Sequence, residues 1–180
     1  MSKFKLFKEL FTNISTTGAV TFSSKALVDK MLSYADFQSA KVIVELGGGD
    51  GSITQGIVDR MNPDATLLVF EISKKFCDNL QTQFTQPNVK IINDSAENID
   101  KYLEGKEADL ILSSLPLSLI PKPVRSQIYQ KSKASISSHG KLIQICYSYF
   151  LKNQFESYFP KVSATFTLKN FPPVFILICQ

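Results

Sequence analysis

The sequence predicts an α/β fold with a mostly parallel sheet of seven strands, helices on both faces and an antiparallel C-terminal hairpin. Short apolar runs rich in β-branched residues alternate with helical stretches, as in parallel strands joined by crossover helices. The first such run enters a glycine-rich turn, and the last two flank an Asn-x-Pro-Pro turn. Since the chain has 180 residues, 44% of them hydrophobic, we expect a single domain over residues 1–180.

The first 38 residues are predicted to form a helical extension ahead of the sheet. Residues 2–15 place Phe and Leu side chains at spacings of three and four, with Lys3, Lys5 and Lys8 among them. This pattern is typical of a basic amphipathic helix, which either lies on an anionic membrane surface or packs its apolar face against the core. A second helix is predicted over residues 24–35, with Ser23 or Ser24 as its N-cap.

The rest of the chain alternates between predicted strands and helices. Strands are predicted over residues 42–46, 66–70, 89–92, 108–114, 141–147, 162–169 and 173–179. Helices are predicted over residues 52–61, 73–85, 96–103, 122–137 and 151–159. Ser138-His139-Gly140 is interpreted as a turn into the fifth strand, and residues 170–173 as the link within the closing hairpin.

The turn after the first strand carries the pattern Glu45-x-Gly47-x-Gly49-x-Gly51. Glycines at alternate positions let the backbone come close to a ligand. The spacing differs from the GxGxxG dinucleotide fingerprint, and the Gly-Lys-Ser/Thr end of a P-loop is missing. Glu71 and Asp94 follow the second and third strands, and ligands of such sheets bind at the carboxyl ends of the strands. The sequence therefore predicts a ligand site at this edge.

The composition of the chain limits which kinds of functional site and which partners we expect. The three cysteines are widely spaced without a CxxC pair, and His139 is the single histidine, so we expect reduced thiols and no metal centre. The net charge of +4 permits an anionic partner but does not require one. No window approaches the ~18 apolar residues of a membrane span, and the start lacks a signal-peptide pattern. We expect a soluble, cytoplasmic protein. Its oligomeric state stays open, with a monomer favoured.

The glycine turn, Glu71 and Asp94-Ser95-Ala96 together resemble the cofactor-binding half of class I S-adenosylmethionine (SAM) methyltransferases, which have a Rossmann-like fold. The resemblance implies that Glu71 accepts hydrogen bonds from the ribose hydroxyls and Asp94 from the adenine amine, while Glu45 orients the methionine moiety. The implied SAM-binding residues are Glu45, Gly47, Gly49, Gly51, Glu71, Ile72, Asp94, Ser95, Ala96 and Ser113.

The residues at the end of the fourth strand resemble a narrower family than the glycine turn does. Ser113-Ser114-Leu115-Pro116-Leu117 resembles the Ser-Gly-Leu-Pro-Leu stretch of bacterial phospholipid N-methyltransferases, with Ser114 in place of glycine. The Gly-Ala-Val…Ser-Ser segment at 18–24 and the Asn-x-Pro-Pro turn also resemble that family, so the similarity covers residues 4–178. It implies direct SN2 methyl transfer from SAM to the amine head group of a phosphatidylethanolamine-like membrane lipid. The head group itself stays open, since phosphatidylethanolamine, its methylated forms and an amino-acid-linked lipid such as an ornithine lipid all present an amine. The implied catalytic residues are Ser114, Leu115, Pro116 and Tyr147.

This resemblance also implies an anionic membrane surface as a partner and a location at the inner face of the membrane. A competing interpretation is a ribosomal RNA adenine N6-methyltransferase, which carries Asn-Leu/Ile-Pro-Tyr/Phe at the fourth strand to hold and stack the base. Ser114 and Leu117 stand at those positions here and offer neither a carboxamide nor a ring. The sequence is also compatible with a soluble small-molecule methyltransferase and with a non-catalytic SAM-binding module.

Overall fold

The computed structural model describes residues 24–168 and 173–180, which form a seven-stranded sheet with helices on both of its faces. The strands are β1 (Val42–Leu46), β2 (Thr66–Phe70), β3 (Val89–Ile92), β4 (Ala108–Ser113), β5 (Ile136–Cys146), β6 (Val162–Thr167) and β7 (Val174–Cys179). The helices are α1 (Lys25–Leu32), α2 (Ser52–Val58), α3 (Lys74–Gln83), α4 (Ile99–Tyr102), α5 (Lys122–Ser135) and α6 (Leu151–Glu156), with a 3₁₀ turn at Ala96–Asn98. The predicted amphipathic helix 2–15 and residues 170–172 of the closing turn lie outside the described residues.

The strand order is β3-β2-β1-β4-β5-β7-β6. Strands β1 to β5 pair in parallel, whereas β7 is inserted between β5 and β6 and runs antiparallel to both. The predicted fold class and the antiparallel C-terminal strands are therefore confirmed. Because the chain leaves β1 toward β2 on one side and returns to β4 on the other, the switch point of the sheet lies at the carboxyl ends of β1 and β4.

Successive side chains of each strand point to opposite faces of the sheet, so the core has two layers. In β1, Val44 and Leu46 pack with helices α4, α5 and α6, whereas Ile43 packs on the other face with α1 and α2. A strand buried on both faces has no polar face, which explains the continuous apolar run of the sequence. On the second face α1 begins at Ser24, whose hydroxyl accepts a hydrogen bond from the Leu27 N–H at 3.2 Å and confirms one of the two predicted N-caps.

The turn predicted at Ser138-His139-Gly140 is wrong, because these residues belong to β5, which starts directly after α5 at Ile136. The register with β4 shifts between Ala108 and Leu110, so the extra residues of β5 form a bulge rather than a turn. A Cβ on Gly140 would lie 2.9 Å from the Ala108 carbonyl oxygen. The glycine is therefore needed for close strand approach, and not to reverse the chain.

None of the helices in residues 24–168 and 173–180 combines the length and the apolar character that crossing a bilayer requires.

Candidate functional site

The glycine turn at the end of β1 is built from backbone that only glycine adopts without strain. Gly47 and Gly51 have φ values of 90° and 86°. The N–H groups of Gly47 and Gly48 both donate to the Phe70 carbonyl, at 2.9 and 3.1 Å, which ties the turn to the end of β2. A Cβ on Gly47 would lie 3.1 Å from Ser114 Oγ and 3.2 Å from Leu115. The turn therefore brings the ends of β1, β2 and β4 into direct contact.

Glu71 lies directly beyond β2 and is 2% exposed, so it is not an ordinary surface glutamate. Its Oε2 accepts the Gly49 N–H at 2.9 Å, and its Oε1 accepts the Ser73 N–H at 2.7 Å. Burial raises the pKa of Glu71, although these backbone N–H groups act in the opposite direction. Since a carboxylate has about four acceptor positions, both oxygens retain capacity for hydroxyl donors.

Asp94, beyond β3, is held by a network of its own. Its Oδ1 accepts the Ser95 N–H at 2.7 Å and Asn98 Nδ2 at 2.9 Å, and its Oδ2 accepts the Tyr102 hydroxyl at 2.9 Å. Burial tends to raise the pKa of Asp94, but the hydrogen bonds from Asn98, Ser95 and Tyr102 outweigh burial and lower it. Ser95 rather than Asp94 caps the 3₁₀ turn, since its hydroxyl accepts the Glu97 N–H. The carboxylate therefore stays charged and aimed at the cleft edge.

Glu45 lies inside β1 on the face that packs against α2, and it is 1% exposed. Its Oε2 accepts the Thr54 hydroxyl at 2.7 Å, whereas its Oε1 is buried without a partner among the described residues. Burial raises the pKa of Glu45 to about 8; the Thr54 hydrogen bond lowers it, while the charges of Glu71 and Asp50 raise it further. A donor or a cation bound beside this unpartnered oxygen would favour the charged form of Glu45.

A cleft opens between these groups at the carboxyl edge of the sheet. Of the residues predicted to bind the cofactor, six line it: Gly47, Glu71, Ile72, Asp94, Ser95 and Ala96. Leu115, predicted as catalytic, lines the same cleft. The other four do not line it. Glu45 and Ser113 are buried, Gly49 donates its N–H to Glu71, and Gly51 is the N-cap of α2 and lies against α3. The structure thus brings six of the ten predicted cofactor residues together with Leu115 in one cleft.

The segment Ser114–Leu117 is fixed on three sides. Ser114 Oγ donates to the Gly47 carbonyl at 2.9 Å, which links it to the glycine turn. The Leu115 carbonyl accepts the Leu117 N–H at 2.8 Å and Gln144 Nε2 at 3.1 Å, and Arg125 Nη1 donates to the Leu117 carbonyl at 2.8 Å. The first two donors fill both acceptor positions of the Leu115 carbonyl, which leaves no position for a further donor.

Tyr147, the other predicted catalytic residue, follows the last residue of β5 and is 45% exposed. It therefore lies at the same edge as the cleft but outside its wall. Pro116 is partly exposed in the same edge loop as Ser114.

Sequence reasoning missed several residues that shape the site. Phe70, Ile120 and Ile128 form apolar walls of the cleft. Two of them had a signal in the sequence: Phe70 is the last residue of a predicted strand, and Ile128 follows Val124 by four residues on one face of a predicted helix. Ile120 had no such signal, because only the folded chain brings it to the cleft. Gln144 and Arg125 lie 29 and 8 residues from the carbonyls they hold, and no local pattern indicates that function.

A family model described as a methyltransferase domain matches residues 43–140, which is more than half of the chain. The chain belongs to the methyltransferase domain family. It is 26% identical over 186 residues to an ornithine lipid N-methyltransferase from Singulisphaera acidiphila, covering 100% of this chain and 97% of that relative. It is 28% identical over 137 residues to ribosomal RNA small subunit methyltransferase A from Ureaplasma urealyticum, covering 72% of this chain and 48% of that protein, so it spans about half of that relative.

Solved structures agree on the fold. A Burkholderia thailandensis 1,6-didemethyltoxoflavin N1-methyltransferase, solved with S-adenosylhomocysteine, superposes with a TM-score of 0.74 at 10% identity, covering 97% of this chain and 87% of that chain. The resemblance to class I SAM-dependent methyltransferases is confirmed, and the protein is a methyltransferase that uses SAM. The residues present fit that cofactor: the Glu71 carboxylate retains acceptor capacity, the orphaned Glu45 oxygen can face a cation, and the Gly47 backbone leaves room that a side chain would fill.

The bond from Ser114 Oγ to Gly47 gives a stability prediction for the methyltransferase. Ser114→Ala removes it, and we expect a loss of about 0.5–1.5 kcal/mol in the free energy of unfolding. Ser118 is exposed in the same loop, so Ser118→Ala is the matched control and is expected to change stability by less than about 0.5 kcal/mol. Urea denaturation measures both variants. Equal stabilities of the two variants would contradict a structural role for the Ser114 hydroxyl.

Proposed function

We propose that this methyltransferase transfers methyl groups to the amine head group of a membrane lipid of the phosphatidylethanolamine or ornithine-lipid type. The observation that carries the proposal is the similarity to a lipid N-methyltransferase over the full length of both chains. The cleft supports it, because the Ser114–Leu117 segment that resembles lipid enzymes forms part of the cofactor wall through Leu115. Leu117 is 2% exposed and packs in the core, so it presents no surface to a nucleobase.

The residues that would hold SAM are Glu71 for the ribose, Asp94 and the backbone at Ala96 for the adenine, and Glu45 for the methionine moiety. The Ser95 N–H is already bonded to Asp94, so Ala96 is the backbone donor that remains for the adenine ring. When bound, SAM supplies an activated methyl group for direct SN2 transfer to a neutral amine. The chain therefore supplies alignment and exclusion of water rather than a nucleophile of its own.

The acceptor amine must lose its proton before it can react, because an alkylammonium has no lone pair and a pKa near ~10.4. Leu115, Ile120 and Ile128 give the cleft apolar walls, and an apolar environment disfavours the charged form of an amine. The Ser114 carbonyl can accept an amine N–H and direct the nitrogen lone pair toward the cofactor. In this proposal Tyr147, exposed at the same edge of the sheet, contacts the head group as it enters the cleft.

A lipid acceptor also requires the protein to reach the membrane. We propose that residues 2–14 bind an anionic bilayer at the inner face of the cytoplasmic membrane, with Phe and Leu side chains in the acyl boundary and lysines at the head groups. Each lysine near such a surface contributes about 1 kcal/mol, which salt screens.

Replacing Lys3, Lys5 and Lys8 by Glu is expected to abolish sedimentation with anionic vesicles at low salt while SAM affinity stays unchanged. Lys41, Lys106 and Lys141, changed together to Glu, provide a control with the same charge change outside this segment. Sedimentation of the first variant like the wild type would place membrane contact elsewhere. Loss of folding in that variant would indicate that the segment packs on the core.

Methyl transfer to defined acceptors tests the proposed function. The purified protein is incubated with SAM labelled in its methyl group and with vesicles containing phosphatidylethanolamine or ornithine lipid, or with ribosomal RNA from a strain lacking adenine dimethylation. We expect label in lipid and none in RNA. Label in RNA alone would overturn the proposal.

The second candidate function, methylation of an adenine in ribosomal RNA, is favoured by one observation: the similarity to a ribosomal RNA small subunit methyltransferase over 72% of this chain. The residues at the fourth strand do not support it, since Ser114 and the buried Leu117 offer neither a carboxamide nor an aromatic face.

A further inference from the structure

The exposed large apolar side chains of the described residues are not scattered over the surface. They gather at the carboxyl edge of the sheet, where the cofactor cleft opens. Tyr102 reaches Asp94 at the end of β3, Leu119 lies in the loop after β4, and Tyr147 follows β5. The remaining members are Tyr149, Phe150, Phe166 and Leu168.

These last four residues lie with Phe175 at the neighbouring ends of β5, β6 and β7, and we call the five residues the aromatic rim. Cys146 at the end of β5 pairs with Phe175 on β7, and Phe166 on β6 pairs with the same residue. The ring of Phe175 lies 5.3 Å from that of Tyr149 and 5.0 Å from that of Phe166. Phe150 directly follows Tyr149 in the chain and Leu168 follows Phe166 by two residues, with 68% and 74% of their surface exposed. Such a contiguous exposed apolar surface marks an interaction site.

The charge of the rim distinguishes between possible occupants. The stretches 147–152 and 166–168 contain Lys152 and no acidic residue. Lys152 pairs with Glu156, so these two stretches carry almost no net charge, and Lys169 directly follows the second of them in the sequence. A nucleic acid requires a basic footprint, which these stretches lack. Tyr and Phe side chains are suited to the boundary between lipid head groups and acyl chains. Because the two stretches contain no acidic residue, an anionic bilayer surface would not repel them.

We propose that the aromatic rim inserts into the surface of a lipid bilayer and sets the mouth of the cleft at the level of the lipid head groups. The inference rests on the proposed lipid acceptor, because an enzyme that modifies a head group must hold its cleft against the bilayer. It adds a contact made by the folded sheet itself, independent of residues 2–14. The rim and the cleft occupy the same edge, so insertion of one brings the other to the substrate.

The chain contains no tryptophan, so a single introduced tryptophan reports only on its own surroundings. Its fluorescence therefore tests whether the rim enters the bilayer. Phe150→Trp places a reporter at the rim, and His139→Trp places one at an exposed position of β5 near the opposite edge. Vesicles of phosphatidylethanolamine and phosphatidylglycerol are prepared with ordinary or brominated acyl chains. We expect the emission of the Phe150→Trp protein to shift to shorter wavelength on vesicles and to be quenched by bromine, while that of the His139→Trp protein does not change.

A combined Phe150→Ser, Phe166→Ser and Leu168→Ser variant is expected to lower vesicle affinity by about tenfold or more, with SAM affinity unchanged. It is also expected to lose methylation of vesicle lipid but to keep methylation of a short-chain lipid amine dispersed in detergent. A Phe150→Trp reporter that vesicles leave unchanged overturns the inference. So does an emission that is already blue-shifted without lipid, because the rim is then covered by another part of this chain or by a second copy.

The two proposals fail in different ways. If the wild type methylates vesicle lipid while the reporter at position 150 stays in water, the rim inference is wrong and the proposed function stands. If the wild type methylates neither vesicle lipid nor the dispersed lipid amine, the proposed function is wrong, whatever the reporter shows.

Discussion

Glu71→Ala is expected to weaken SAM binding by about 1.5–3 kcal/mol, which is roughly a 10- to 150-fold increase in the dissociation constant. The reason is geometric and electrostatic. The Glu71 carboxylate is buried at the edge of the cleft, two backbone N–H groups orient it, and ribose hydroxyls that reach it form charge-assisted hydrogen bonds. Calorimetric titration with SAM and with S-adenosylhomocysteine measures the loss, and we expect both ligands to be affected because both carry the ribose.

The alanine variant also leaves the Gly49 and Ser73 N–H groups without their acceptor, so its folding must be measured with its binding. Glu71→Gln keeps one acceptor oxygen and the shape of the side chain while it removes the charge, and an intermediate loss of affinity is expected. Glu97→Gln is the matched control, since Glu97 accepts the Ser95 hydroxyl on the same edge but does not line the cleft. Wild-type affinity in a folded Glu71→Ala protein would remove Glu71 from the site.

Glu45 is expected to make the stability of the cofactor-free protein fall as the pH rises from about 5 to 8. Its pKa is raised from 4.5 to about 8 by burial, so the folded chain holds a proton that the unfolded chain has released within this window. Stability is therefore highest below the unfolded pKa and is lost up to the folded pKa, at no more than about 1.4 kcal/mol per pH unit. Glu45→Gln keeps an acceptor for Thr54 and does not titrate.

Urea denaturation of wild type and Glu45→Gln at pH 5.5, 7 and 8.5 isolates this effect. We expect the stability of the Gln variant relative to the wild type to increase steadily across the series. Thr54→Val provides a second check, because loss of the hydroxyl that lowers the pKa of Glu45 extends the window to higher pH. A difference between wild type and Glu45→Gln that is the same at all three pH values would show that Glu45 is charged in the folded protein throughout.

The sequence alone determined the order of strands and helices and the position of the ligand edge. Strands such as 42–46 and 66–70 match the structure residue for residue, because apolar β-branched runs bounded by turns depend only on local patterning. The polar residues at the strand ends could be assigned to one edge for the same reason: parallel strands place all their carboxyl ends together.

Only the tertiary structure decided how those groups interact. Burial of Glu45 and Glu71, and so the direction of their pKa shifts, depends on helices α2 and α3 that pack over them. One of the two donors to the Leu115 carbonyl, Gln144, comes from β5. The aromatic rim joins residues on or just beyond β5, β6 and β7 that meet only in the sheet. The bulge around Gly140 was missed for the same reason, because the clash that requires glycine there involves the backbone of a neighbouring strand. Local patterns specify elements, whereas contacts between distant residues set the charge, the accessible acceptors and the exposed surface of the site.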